Sequence, residues 1–258
     1  MRENKKFEIP QNMERVQKII RHPAFKKSMR MIEALEKERI FCGHDMKHLL
    51  DVSRIAWIET LEQSLDYPKD VIYGAGLLHD VGKPTARVEG PDKDHFKMHP
   101  VIGEEMARKI LRRLKFDNQT IKQVTTLVRW HDRRFASMEE VNKKTVRRWV
   151  SQLTPELFTR LMEVQKADIS AQSDYQRDKK EQVLQETKKL FEEIIEEKNC
   201  LSIKELKING KDLMDMGVPQ GKEIGQILSW LLDQVLEDPQ LNQRETLMQM
   251  AEEKRDVK

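Results

Sequence analysis

Residues 76–84, GLLHDVGKP, set an imidazole and a carboxylate, His79 and Asp80, side by side at the end of an apolar run. Buried groups of this kind are costly unless something pairs with them, and a metal ion is the strongest such partner. The pair has company. His48 stands upstream in HDMKHLLDVSRIA. Downstream are His99 in KMHPVIGEEMA, His131 in LVRWHD and Asp168 in VQKADISAQ. All six donors fall on apolar patterns of helical period.

The surrounding composition favours helix. The chain has 258 residues, 38% hydrophobic and 35% charged, with 10 Gly, 9 Pro and few aromatics. That balance suits a bundle with heavily charged outer faces. Helices are expected over 13–39 (interrupted near His22-Pro23), 45–66, 69–80, 99–114, 118–132, 143–152, 155–173, 176–198 and 222–236. Residues 83–98, rich in Pro, Gly and Asp, read as a loop, and no stretch alternates with period two over strand length. Near residue 200 the texture changes: Gly210, Gly217, Pro219, Gly221 and Gly225 fall within sixteen residues. The expected organisation is therefore a lead-in at 1–12, an all-α domain at 13–198 and a small helical tail at 201–258.

Several classes are disfavoured. Cys42 and Cys200 make no disulfide framework and no CxxC site. The N-terminus lacks an apolar signal region and no segment reaches 18 apolar residues, so no membrane association and a cytoplasmic location are expected. There is no P-loop, no GxGxxG after a strand and no GxSxG elbow. Net charge is only +3, but residues 108–148 hold thirteen Lys or Arg against four Asp or Glu. Such a stretch beside a metal site favours an anionic substrate, and it equally suits a solvated helix face.

Position on the helical stripe argues for convergence. His48, Val52, Ile55 and Ala56 share one face, as do Val124, Val128 and His131, and as do Leu157, Leu161, Val164, Asp168 and Ala171. A lone Asp168 would be a carboxylate satisfied by a helix end or an arginine. With His48, His79 and Asp80 placed alike, a shared metal is the simpler account, and Zn, Mn, Fe, Co, Ni or Mg all suit such donors. His99, before Pro100, and His131, closing a helix, each have an ordinary structural reading, as a cap or a dipole partner. Together they would serve a second ion. His44, one turn before His48, reads either as a support for it or as part of a helix cap with Asp45. His22 and His95 fall in expected loops and read as incidental. Lys83 is placed to hold a phosphate oxygen, or else to answer a helix dipole.

The order His48, His79-Asp80, Asp168 resembles the metal signature of the HD superfamily of phosphohydrolases, and HPVIGEEMARKIL at 99–111 and KADISAQ at 166–172 match it too. A narrower resemblance covers residues 40–255, which look like the C-terminal half of bacterial CCA-adding enzymes and poly(A) polymerases. It rests on GLLHDVGKP, FKMHPVIGEEMARKILRRLKFDNQTI, ADISAQ and the tail from LKINGKDLMDMG onward. The resemblance implies an HD helical bundle and tail. It implies one or two divalent ions, the first on His48, His79, Asp80 and Asp168, the second on His99 and His131 with Asp80 bridging. It implies a metal-activated water that cleaves a phosphomonoester or phosphodiester, of the nucleotide or 2′,3′-cyclic phosphate class, with Lys83, Arg87 and Arg129 neutralising phosphate charge. The expected partners are a small phosphorylated or nucleotide substrate and RNA or tRNA. The nucleotidyltransferase head of those enzymes, with its Gly-Ser motif and paired aspartates, has no counterpart here, so nucleotide addition by this chain alone is not expected. A non-catalytic RNA-binding module, or one subunit of a split nucleotidyltransferase, is the alternative.

Overall fold

The computed structural model describes residues 13–36, 44–90 and 94–256. The expected lead-in at 1–12 and Cys42 lie outside them. Among the described residues the elements are helical: α1 (Glu14–Arg21), α2 (Pro23–Leu35), α3 (Met46–Glu62), α4 (Lys69–Leu78), α5 (Lys83–Ala86), α6 (His99–Arg113), α7 (Asn118–Trp130), α8 (Lys143–Leu153), α9 (Pro155–Ala171), α10 (Arg177–Glu196), α11 (Gly210–Asp215), α12 (Lys222–Glu237) and α13 (Arg244–Asp256). The fold is all-α, as expected. An isolated antiparallel bridge joins Val88 and His95 inside the expected loop. That loop also opens with the short helix α5, which the Lys-Pro start disguised, although proline suits a first helical turn.

The helix starts are written in local chemistry. Asp45 accepts from the His48 amide, Asp117 from Thr120 and Asn142 from Thr145, each satisfying a donor the first turn leaves open. His22, read as incidental, caps α2 by accepting from the Ala24 amide at 3.2 Å. Asn209 and Asp212 form a reciprocal capping box on α11. That helix stops at Gly217, whose φ of +88° is left-handed, while the Val218 amide reaches back to the Leu213 carbonyl at 3.0 Å.

The chain divides into two compact units. One comprises the residues up to Ser137 with Glu156–Leu184; the other comprises Met138–Pro155 with the residues from Gln185 on. The boundary expected at 199–201 differs, because α8 belongs with the tail. Val146 and Val150 of α8 are fully buried. Arg147 donates to the Leu236 and Glu237 carbonyls at the end of α12, both at 2.8 Å. These are orphan acceptors of a helix C-terminus, which a guanidinium satisfies. Within that unit Leu213, Leu231, Val235 and Leu247 form the core.

The first unit is organised on α4, in which Val71 through Leu78 are all buried. A helix apolar all round belongs at a centre, with neighbours on every side. It packs against α1, α3 and α7. Val52 and Ala56 of α3, Ile72 of α4 and Ala167 of α9 share one core cluster. Fully burying side chains of this size stabilises the fold by about 1.5–3 kcal/mol each for the larger ones. Two glycines permit close approach. A Cβ on Gly76 would lie 2.8 Å from the Ser53 Cα on α3. One on Gly82 would lie 2.3 Å from the His99 carbonyl oxygen and 2.5 Å from the Gly103 amide. The turn after His79-Asp80 is thus pressed onto the start of α6, and Ser28 of α2 ties it down by donating to the Val81 carbonyl at 2.6 Å.

Candidate metal centre

Five helices bring the six expected donors together, all within the first unit. His48 lies in the first turn of α3. His79 caps the C-terminus of α4, with Asp80 next to it. His99 opens α6, His131 caps α7 and Asp168 lies near the end of α9. All six are buried. His79 Nε2 stands 3.1 Å from Asp80 Oδ2 and 3.9 Å from Asp168 Oδ1, and His48 Nε2 is 3.4 Å from Asp168 Oδ1. On the other edge of Asp80, Oδ1 lies 3.4 Å from His99 Nε2 and 3.7 Å from His131 Nε2.

The rings are held from behind. Nδ1 of His79 lies 2.8 Å from the Gly76 carbonyl, that of His99 2.7 Å from Phe96 and that of His131 2.7 Å from Val128. His48 Nδ1 sits at 3.4 Å from the Ala171 carbonyl. An imidazole that donates from Nδ1 and carries no second proton presents a lone pair at Nε2, so in that tautomer each ring aims an acceptor inward. Gln165 of α9 fixes the end of α7, donating to the His131 and Arg133 carbonyls at 3.1 and 3.0 Å.

That arrangement tests whether an ion fits. His48 Nε2 and His79 Nε2 are buried without a hydrogen-bond partner among the described residues, and His99 Nε2 and His131 Nε2 face each other at 3.0 Å. Acceptors pointed at acceptors repel unless a cation lies between them. Ligands about 2.1 Å from one ion are separated by roughly 3.0 Å at right angles and about 4.2 Å across it. The imidazole-to-carboxylate separations fall in that range, and the donor set fits.

Charge completes the site. Burial alone would raise the Asp80 carboxyl, but His79, Lys83 and His44 hold it well below its ordinary value. Asp168 is held low against its burial by His48, Arg134 and His79. Burial and the facing His131 push His99 down to about 4, which keeps its ring a neutral ligand. Asp80 and Asp168 are thus carboxylates, the form that binds metal.

Lys83 is buried, its Nζ 2.8 Å from Asp80 Oδ2. Arg87 instead pairs with Asp94 at 2.6 Å and Glu89 at 3.3 Å, and Arg129 is exposed on α7; neither lines the cavity at the metal centre. The arginine that does line it is Arg134, together with Gln172 and His44. Arg134 donates from Nη2 to Asp168 Oδ2 at 2.7 Å, and its Nη1 is buried with no partner among the described residues. Gln172 donates to the same oxygen at 3.0 Å. Nothing in the sequence marks Arg134 out from the other cations of residues 108–148. Several of those are spent on neighbours: Arg108 on Glu104, Lys109 on Glu105 at 2.6 Å, Lys143 on Glu193 and Glu197 at 2.7 Å, and Arg148 on Glu237.

The fold and the centre together define an all-helical protein with a polyhistidine and carboxylate cluster able to hold divalent ions. The family follows from comparison. The model for the putative tRNA nucleotidyltransferase domain 2 matches residues 96–251, more than half of the chain, and the chain belongs to that family. The match takes in His99, His131 and Asp168 and begins beyond His48, His79 and Asp80. An uncharacterised protein of Clostridium beijerinckii is 37% identical over 87 residues, 34% of this chain and 52% of that one. The CC-adding tRNA nucleotidyltransferase of Thermus thermophilus is 30% identical over 162 residues, 62% of this chain and 34% of that enzyme. The A-adding tRNA nucleotidyltransferase of Deinococcus radiodurans is 37% identical over 89 residues, 33% of this chain and 20% of that enzyme. The chain thus spans about half the length, or less, of the curated relatives it matches. No solved structure matches it. No helix among the described residues is long and apolar enough to cross a membrane.

Proposed function

We propose that this chain is an HD-type metal-dependent phosphohydrolase acting on a phosphomonoester or phosphodiester of the nucleotide or 2′,3′-cyclic phosphate class. The observation that carries it is the inward convergence of Nε2 atoms on two carboxylates, with every ring oriented from behind. His48, His79, Asp80 and Asp168 would hold one ion and His99 and His131, with Asp80 bridging, a second. Divalent ions so held supply Lewis acidity and an activated water at neutral pH.

The chain's own residues supply the rest. Asp80 serves both halves of the centre, one oxygen to each. Lys83 and Arg134 flank the cavity as the cations for a phosphoryl oxygen, an interaction preorganised donors make stronger away from bulk water. Arg134 replaces Arg87 and Arg129 in that role. The cavity encloses only about 70 Å³, far below the about 300–1,000 Å³ of a pocket that swallows a drug-sized ligand. It would grip the reacting phosphoryl group and leave the rest of the substrate outside.

The test is elemental analysis of protein purified without chelator, then hydrolysis of a panel of monoesters, cyclic nucleotides and activated diesters with and without chelator. Chelator-sensitive cleavage supports the reading; a metal-replete protein inert on the whole panel overturns it. Family membership favours a second reading, a tRNA-binding module or one part of a split tRNA nucleotidyltransferase. Its relatives' names supply tRNA as the partner. Direct tRNA binding, or co-purification with a nucleotidyltransferase head, tests it.

A further inference from the structure

The metal-ligand set proposed above leaves out one imidazole that is built like the others. His44 is buried at the foot of α3 and lines the cavity. Its Nδ1 lies 2.8 and 3.0 Å from the two carboxylate oxygens of Glu36, and its backbone amide donates to Glu36 Oε2 at 2.6 Å. Glu36 is buried too, at the C-terminal end of α2. The other rings are oriented by backbone carbonyls. His44 is oriented by a carboxylate, which fixes the tautomer and also raises the basicity of the far nitrogen.

That far nitrogen points into the centre. His44 Nε2 lies 3.8 Å from Asp80 Oδ2, beyond hydrogen-bond reach but within the spacing of the other pairs, such as the 3.7 Å from His131 and the 3.9 Å from His79 to Asp168. Its ring meets that of His48 edge-on, with centroids 4.9 Å apart. Donor atoms of His44, His48 and Asp80 all fall within 4.8 Å of one another, as do those of His48, His79 and Asp168 and those of Asp80, His99 and His131.

We infer that His44, held by Glu36, is a further protein ligand of the ion on the Oδ2 side of Asp80. A separate third ion is the weaker arrangement. The Nε2 of His48 has one lone pair and can bind one ion only, and its 3.4 Å approach to Asp168 assigns it to the ion shared with His79. A carboxylate can be shared, so His44 joins that ion through Asp80. The ion on this side then has His44, His48, His79, Asp80 and Asp168 around it. The more open positions belong to its neighbour on His99 and His131.

The inference rests on the metal-centre reading, and its test is separable from it because the readout is metal binding rather than turnover. The probe is Co(II) alone, titrated into the full-length apoprotein and followed by its visible d–d absorption, with circular dichroism to confirm folding. Wild type, His44→Ala, Glu36→Gln and His95→Ala are compared. His44→Ala should weaken one Co(II) class about 10–100-fold and intensify its absorption as the coordination number falls. Glu36→Gln keeps the imidazole, so its affinity should fall by a smaller factor with the band shape kept. That variant carries the test should His44→Ala not fold. His95, exposed and outside the lining of the cavity, should change nothing. If His44→Ala, or Glu36→Gln where His44→Ala does not fold, binds Co(II) with wild-type affinity and spectrum, His44 is no ligand and the inference fails while the metal centre stands. If wild type takes up no Co(II), both fail.

Discussion

His99 Nε2 and His131 Nε2 face each other at 3.0 Å while both Nδ1 atoms are committed to backbone carbonyls. Neither ring can satisfy the other without taking on a second proton, and burial holds His99 down to about 4. A cation resolves the clash. If the centre holds two ions as proposed, His131→Ala should remove one and leave the other, which elemental analysis reads directly. Asp80→Ala, which strips a ligand from both halves, should lose both. Full metal occupancy in the Asp80 variant would sink the assignment.

Gly82 is a site where one methyl group should be felt. Its Cβ would stand 2.3 Å from the His99 carbonyl and 2.5 Å from the Gly103 amide, both backbone atoms that cannot swing aside. Gly82→Ala must push α6 from the turn that carries Asp80, and the expected cost is about 1–3 kcal/mol, the range for overpacking. Urea denaturation should show a lower midpoint, and metal affinity should fall because His99 moves with α6. Gly225, where a Cβ meets nothing within 4 Å, is the control: Gly225→Ala should leave the midpoint unchanged or raise it.

If Lys83 and Arg134 are the phosphoryl-holding cations proposed above, their variants should differ in kinetics. Lys83 touches the Asp80 carboxylate and its ammonium supplies no lone pair, so Lys83→Ala should retain the proposed ions and lower kcat about 100–1,000-fold on a phosphodiester. Arg134→Ala should raise KM and lower kcat together, because its Nη1, buried with no partner among the described residues, would be the group offered to substrate while its Nη2 donates to Asp168. Wild-type kinetics in both variants would remove the cationic groups from the mechanism.

The acid limb of the stability curve should carry the mark of Glu36. Burial opposes its charge, but the His44 hydrogen bond and charge outweigh burial and bring its carboxyl from 4.5 to about 2. The sign follows from proton counting. Between about pH 4.5 and 2 the unfolded chain holds a proton on Glu36 and the folded chain does not, so stability falls as pH falls. The contribution is fully present above pH 4.5 and gone below about 2. Glu36→Gln should flatten this limb in urea titrations run across that interval. An unchanged slope would mean the carboxylate is not held by His44 in solution.

How much of this was legible in the sequence depended on the range of the interaction. Helix period placed His48, Asp168 and His131 on buried stripes, because such a stripe is a local property of α3, α9 and α7. Caps were equally local, and the boundaries of α6 and α7 fall within two residues of expectation. Contacts across the sequence were not legible. Glu36 meets His44, eight residues on, in a pairing that no pattern announces, and Arg134 looks like any other cation of a basic stretch until α9 brings Asp168 to it. The pairing of α8 with α12 was hidden for the same reason: Arg147 seeks carbonyls 89 and 90 residues away. Arg87 misled because proximity to His79-Asp80 in sequence ended at the turn, and Asp94 captures it.

The tRNA reading makes its own demand on the outer face of α6. Arg112 and Arg113 are exposed in its last turn. A phosphate backbone would find them there, and neither lines the cavity at the metal centre. If the partner is tRNA, the double variant Arg112→Ala, Arg113→Ala should bind it more weakly, and the slope of log K against log salt should shrink by about two, one per lost phosphate contact. Hydrolysis of a small cyclic nucleotide should be untouched, because that substrate never reaches α6's outer face. The two readings then separate cleanly. Loss of tRNA binding with hydrolysis intact places both activities on one chain. Unchanged tRNA affinity moves any RNA surface elsewhere. A metal-replete protein that cleaves none of the phosphoesters yet binds tRNA with a steep salt dependence would make the buried centre a structural clamp and the chain a binding module.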